Sequence, residues 1–141
     1  MKKIMIVVLL FINGAAFAQK INASKVPAAV KTSFSKNFSG VTSVKWEKEK
    51  GNFEAGFTEN GIKMSAVFDD KGNLIETETA IDIANLPAGA NDYIATNYKG
   101  AKIKEAAKLK MQNGDINYEA EIKGYDLIFD ANGKFIKKTK G

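Results

Sequence analysis

The chain contains an internal repeat with a period of about sixty residues. Three short blocks occur twice in the same order, 60 to 65 residues apart: P-A at 27 and 87, N-[FY]-E-A at 52 and 117, and F-D-x-x-G at 68 and 129. A period of this length indicates one supersecondary unit built twice. The repeat therefore constrains the architecture more than any other feature of the sequence.

The first 18 residues have the pattern of a secretory signal peptide. Lys2 and Lys3 precede an apolar run at positions 4–12, and Ala16 and Ala18 supply small residues before a cleavage site. The apolar run is shorter than the roughly 20 residues that a membrane span needs. We predict export, with cleavage after Ala18, to the periplasm or out of the cell. No later run has membrane length, so the mature chain is predicted to have no membrane span.

The composition excludes several classes of site. The chain has no cysteine and no histidine, and all 21 of its basic residues are lysine. Thiol chemistry, Ser-His-Asp triads and haem or zinc sites built on these side chains are therefore not available. The net charge is +5, but lysines alternate with acidic residues as on an ordinary solvated surface. We predict no enzyme activity, no catalytic residue, no cofactor, no metal and no nucleic-acid partner.

Each repeat begins with a helical pattern. Apolar residues recur at every fourth position from Val26 to Phe38, and again from Leu86 to Tyr98. This spacing predicts amphipathic helices at about 25–38 and 86–98, each packed on a flat surface. Gly40 and Gly100 follow the last apolar residues, where a left-handed C-terminal cap is expected.

After each helix the apolar period changes to two. Four short alternating segments separated by Asn-Gly and similar turns follow in each repeat, at about 43–79 and 102–140. Such segments predict antiparallel strands with one buried face. The buried positions of the first strand in the second repeat are predicted to be Ile103, Ala107, Leu109 and Met111. The fold class is therefore α+β: two tandem repeats, at 19–80 and 81–141, each with one helix on a four-stranded meander.

These features together resemble the PepSY-like, β-lactamase-inhibitor-like family of small exported proteins of Gram-negative bacteria. The resemblance rests on the signal peptide, the two helices, the N-[FY]-E-A strands and the F-D-x-x-G hairpins, and covers roughly residues 24–141. It implies that the two sheets join into one curved sheet of about eight strands. The inhibitors that lend the family its name use disulfides and an aromatic-rich concave face, both of which this chain lacks. The resemblance therefore implies the fold and supplies no catalytic residues.

The polar strand positions predict a possible partner-binding face. The candidates are Lys45, Glu47, Glu54 and Lys63 in the first repeat, and Lys104, Lys108, Glu119 and Glu121 in the second. The lysines at 102–110 could instead form a cross-strand charge ladder with Glu119 and Glu121. Glu54 and Glu119 occupy equivalent positions and are not expected to converge on one broad sheet.

Three classes of function remain open. The preferred one is a monomeric periplasmic module that binds a protein or peptide through the open sheet face or an edge strand, with regulation or inhibition of an envelope enzyme as its role. An enzyme would need a concave pocket holding a carboxylate with a strongly raised pKa. The third class is a small-ligand carrier or envelope stress protein that uses the cleft between helices and sheet.

Overall fold

A computed structural model describes residues 18–140 of the 141-residue chain. Most of the predicted signal peptide lies outside the described residues. The described part forms one nine-stranded antiparallel sheet, in which every strand pairs with the next along the chain, and two helices. The strands are β1 (Gln19–Ile21), β2 (Lys45–Glu49), β3 (Asn52–Glu59), β4 (Ile62–Phe68), β5 (Leu74–Ile81), β6 (Glu105–Met111), β7 (Ile116–Ile122), β8 (Tyr125–Asp130) and β9 (Phe135–Lys140). Within residues 18–140, no helix has the length and apolarity required to cross a membrane.

The structure confirms the predicted α+β fold and its tandem construction. The eight predicted strands are β2–β9, and pairing of β5 with β6 joins the two repeats into one sheet. The sheet has a ninth strand, β1, which pairs with β2. This strand has only three residues, too few to produce a recognisable alternation of apolar and polar side chains.

The two helices are α1 (Ala28–Asn37) and α2 (Ala88–Asn97), and each is shorter than predicted. Each follows a short 3₁₀ turn and then a proline, which occupies the N-cap position. Val26 and Leu86 precede the helices but are buried, so they extend the apolar stripe beyond the helical residues. Gly100 has the expected left-handed conformation, with φ of +76°, but Gly40 is not among the glycines with positive φ.

Both helices pack on the same face of the sheet. In the first repeat, Val30 and Phe34 of α1 share a core with Phe53 and Phe68. In the second repeat, Ile94 of α2 shares a core with strand residues that include Ala120, Leu127 and Phe129. Side chains alternate between the two faces of a strand, so the intervening positions lie on the opposite side. We call that side the open face.

The repeated F-D-x-x-G block forms a hairpin turn in each repeat, and its glycine packs closely against the helix of that repeat. Asp69 accepts hydrogen bonds from the backbone nitrogens of Lys71 and Asn73, and Asp130 accepts the corresponding two from residues 132 and 134. Each aspartate therefore stabilises its own turn by binding backbone N–H groups. Gly72 has φ of +86°, and a Cβ atom there would lie 2.6 Å from the carbonyl oxygen of Ala29. The second repeat has the same close approach, because a Cβ atom on Gly133 would lie 2.8 Å from the nitrogen of Ala90.

Candidate functional site

The open face carries an apolar patch that the sequence interpretation assigned to the core. Leu109 pairs with Glu78 on one side and Asn117 on the other, and it packs with Met111 and Ile128. The predicted register of β6 was therefore wrong by one residue: Ala106 and Lys108 lie on the helix-bearing face, and Ala107, Leu109 and Met111 lie on the open face. Ile103 does pack on the core, so the alternation is broken between Ile103 and β6.

Beside the apolar patch lies a band of acidic side chains, all buried except Glu78, which is half-buried. The band consists of Glu54 on β3, Glu76 and Glu78 on β5, Glu119 and Glu121 on β7, and Asp126 on β8. Glu54, Glu76, Glu119 and Asp126 are each 3–5% exposed, and each has at least one buried carboxylate oxygen without a hydrogen-bond partner. Glu54 and Glu119 were predicted to lie on an exposed face. They are buried because neighbouring strands on both sides enclose them, as is expected in the middle of a wide sheet.

Glu54 and Glu119 lie on β3 and β7, with three strands between them. Both interact electrostatically with Glu78 on β5, the central one of these three strands. Glu78 therefore links the two positions within one acidic band. The two glutamates themselves lie four strand spacings apart, so the fold does not bring their carboxyl groups together.

Burial raises the pKa values of the carboxyl groups in the acidic band. The pKa of Glu119 rises from its ordinary value of 4.5 to about 10, through burial first and then the negative charge of Glu78. Burial also raises the pKa of Glu54 to about 8. The pKa of Glu76 rises to about 7 and that of Asp126 to about 6, again chiefly through burial. Several of these carboxyl groups are therefore protonated at neutral pH.

A cleft of about 340 Å³ opens at one end of this band. Its lining includes small residues on four adjacent strands: Gly56 on β3, Ser65 on β4, Ala80 on β5 and Ala107 on β6. Gly56 pairs with Ser65, and Ala80 pairs with Ala107, while Ser65 pairs with Glu78 on its other side. The absence of large side chains there leaves room for the cleft, and the loop at 40–43 after α1 closes one side.

Charged groups of both signs line the cleft. Glu78, Glu105 and Glu119 are acidic, and Lys45 and Lys63 are basic. The Nζ atom of Lys63 and one carboxylate oxygen each of Glu78 and Glu119 are buried without a hydrogen-bond partner. Buried polar atoms without hydrogen-bond partners are costly, so these groups form an unusual combination in a free protein.

The structure brings together most of the predicted partner-binding residues. Lys45, Lys63 and Glu119 line the cleft, and Glu47 pairs with Glu54 beside it. Lys104 forms an ion pair with Glu121, with 3.5 Å between Nζ and Oε1. Lys108 pairs in register with Tyr118 on the helix-bearing face, so it does not belong to this site or to a charge ladder with Glu119.

The sequence interpretation missed Glu76, Glu78 and Glu105 as site residues. Glu76 and Glu78 belong to the run E-T-E-T, in which polar side chains occupy both faces and give no sign of burial. Their partners across the sheet are Val67, Ser65, Met111 and Leu109, which come from the other strands of two different repeats. Only the long-range pairing identifies them.

Solved structures with the same fold come from Bacteroides species. One is a "putative periplasmic" protein of Bacteroides eggerthii, with a TM-score of 0.71, 14% identity and coverage of 82% of this chain and 88% of that one. A DUF2874 family protein of Bacteroides uniformis has a TM-score of 0.70 at 18% identity, over 81% of this chain and 88% of the other. A BLIP-like protein of Bacteroides fragilis has a TM-score of 0.64 at 21% identity, over 81% and 86% of the two chains. At these identities, the likeness establishes the fold.

Among curated proteins, none matches the chain. A family model described as "Putative beta-lactamase-inhibitor-like, PepSY-like" matches it in two overlapping segments, residues 16–75 and 51–137. Together the segments span both repeats. The chain therefore belongs to the PepSY-like, β-lactamase-inhibitor-like family.

Proposed function

We propose that the protein is a non-enzymatic periplasmic module that binds a protein or peptide through the open face, with regulation or inhibition of an envelope enzyme as its role. The observation that carries this proposal is the cleft lined by buried polar atoms without hydrogen-bond partners. A partner that supplies opposite charges and hydrogen bonds to Lys63, Glu78 and Glu119 would remove the cost of leaving them unpaired. The apolar patch beside the acidic band offers additional surface for contact.

A catalytic role has one observation in its favour, since Glu119 is a carboxyl with a strongly raised pKa in a concave site. An efficient general acid or base, however, has a pKa near the pH at which it works. A carboxyl group with a pKa of about 10 is too weak an acid for that role near pH 7. The same group is well suited to binding, because a cationic ligand would favour its ionised form.

A small-ligand carrier remains the second candidate, and the cleft favours it too. Its volume of about 340 Å³ lies at the lower end of the range for small-molecule sites. The lining comes largely from open-face residues and from the loop at 40–43. A carrier would therefore use the open face and not the predicted cleft between helices and sheet.

Two lysines that the sequence placed on one surface provide a direct test. Lys45 lines the cleft and Lys108 lies on the helix-bearing face, and both are exposed. Charge reversal at either should change stability by only about 0.5 kcal/mol, because both positions are exposed. In cross-linking capture from the host's envelope, we expect Lys45→Glu to lose a specific partner and Lys108→Glu to retain it.

The control for this experiment is the thermal unfolding of both variants, which should match that of the original protein. Loss of the partner with Lys108→Glu alone, or retention with both variants, would place the binding surface elsewhere. The charge change is identical in the two variants. A difference in partner capture between the two variants therefore identifies the face that binds the partner, and it cannot result from the change in net charge.

A further inference from the structure

Lys63 and Glu119, two of the polar residues that line the cleft, lie on strands that are well separated. Lys63 is on β4 and Glu119 is on β7, so three strand spacings of about 4.8 Å separate their backbones, roughly 14 Å in all. Ala80 and Ala107 lie on the two strands between them and contribute only methyl groups to the lining. Lys63 and Glu119 are thus held apart across a cleft floored by small side chains, while Glu78 on β5 lies on the strand next to Lys63.

A ligand with one charge would satisfy only part of this site. A cation bound to Glu78 and Glu119 would leave the buried Nζ atom of Lys63 without a partner and would be repelled by it. An anion bound to Lys63 would leave the two carboxyl groups unpaired. A ligand with an ammonium group at one end and a carboxylate at the other would supply a partner for both sides at once.

We infer that the cleft binds a short unblocked peptide, with its amino terminus toward Glu119 and its carboxylate toward Lys63 and Lys45. This inference rests on the proposed function and names the ligand class of the same site. Glu119 is 3% exposed, lines the cleft and has an unpartnered oxygen, which is an observation independent of the number of acidic residues nearby. The modest volume of the cleft suits a ligand of two or three small residues.

Binding of the amino terminus should release protons. The titratable groups that face Glu119 across the open face are Lys63 on β4, Glu76 and Glu78 on β5, Glu105 on β6, Glu121 on β7, Asp126 on β8 and Lys137 on β9. The pKa of Glu119 is raised chiefly by burial, so it is protonated in the free protein at pH 7. An ammonium group beside it would favour the ionised form and lower that pKa.

Calorimetry with three forms of one dipeptide tests the inference. The probes are dialanine, its C-terminal amide and its N-acetyl derivative. Each is titrated into the exported protein, purified in the form that the host's envelope contains. We expect dialanine to bind about tenfold or more tightly than either capped form, because each cap removes one charge-assisted interaction. Dialanine titrations at pH 7 in two buffers with different ionisation enthalpies should differ by the heat of proton release.

Matched variants assign each end of the peptide. Lys63→Met should weaken dialanine about tenfold but leave the affinity for the amide unchanged, since the amide already lacks the carboxylate. Glu119→Gln should weaken dialanine and leave the affinity for the N-acetyl form unchanged. Asp92→Asn, an exposed position on α2, should leave all three affinities unchanged. Thermal unfolding of each variant verifies that it is folded.

Equal affinity for capped and uncapped dialanine, equal losses for all three forms in either variant, or no binding of any form would overturn the inference. The proposed function fails in a different way. If Lys45→Glu still abolishes partner capture while dialanine does not bind, the open face binds a partner of other chemistry. If dialanine binds as expected, the cleft is a peptide site whether or not a larger partner is captured.

Discussion

The protein is expected to be markedly more stable at pH 5 than at pH 8. Burial raises the pKa of Glu54 to about 8 and that of Glu119 to about 10, from 4.5 for an ordinary glutamate. Between pH 5 and 7 the folded protein therefore binds more protons than the unfolded chain, and stability falls as the pH rises. Each extra proton contributes a slope of roughly 1.4 kcal/mol per pH unit. Urea unfolding at each pH from 5 to 8 measures this slope.

Glutamine variants identify the carboxyl groups that cause this pH dependence of stability. Glu54→Gln and Glu119→Gln should each flatten the pH dependence and make the protein more stable than the original at pH 8, because neither side chain can ionise. Asp92→Asn, the exposed control on α2, should leave the slope unchanged. A stability that stays constant or rises between pH 5 and 7 in the original protein would show that these carboxyl groups ionise freely.

Replacement of Phe34 by alanine is expected to destabilise the protein by about 3–5 kcal/mol. Phe34 is 5% exposed, and its ring centroid lies 5.1 Å from that of Phe57, 5.3 Å from Phe38 and 5.5 Å from Trp46. Truncation would leave a cavity in the centre of an aromatic cluster and remove edge-to-face ring contacts. Since whole domains are stable by only about 5–15 kcal/mol, this loss is a large share of the total.

The control for this prediction is Ile62→Ala, an apolar truncation at a residue that is 46% exposed. It should change the free energy of unfolding by about 0.5 kcal/mol or less. Denaturant unfolding followed by the fluorescence of Trp46 measures both variants. Equal effects of the two substitutions would show that the helix–sheet core contributes little more than the surface.

The parts of the fold that could be predicted from the sequence are those with long, strict periods. Residues 52–58 alternate between apolar and polar side chains, and residues 62–68 do so apart from Val67, so the buried faces of both strands were assigned correctly. The faces of β6 were predicted wrongly because Ala106 and Ala107 are both small and apolar, so the sequence does not show which of the two faces the helices. Packing of Ile103 on the core then hides the break in alternation.

The candidate site was predictable only in part, for a related reason. Lys45, Lys63 and Glu119 were identified because they occupy the polar side of alternating strands. The burial of Glu119 and of the Lys63 ammonium group depends on side chains from strands that are distant in sequence. Glu78 is the clearest example of such a neighbour, since it interacts with both Glu54 and Glu119. No local pattern in the run E-T-E-T indicates that its glutamates are surrounded by side chains of neighbouring strands.

The central proposal is that the open face, at the cleft, is the binding surface. Photo-crosslinking in the host's envelope compares the faces directly, with the reactive residue placed either at Thr58, which lines the cleft, or at Asp92 on α2. Both positions are exposed. We expect a specific cross-linked partner from position 58 and none from position 92. Cross-links from position 92 alone, or of the same partner with equal yield from both, would contradict this proposal.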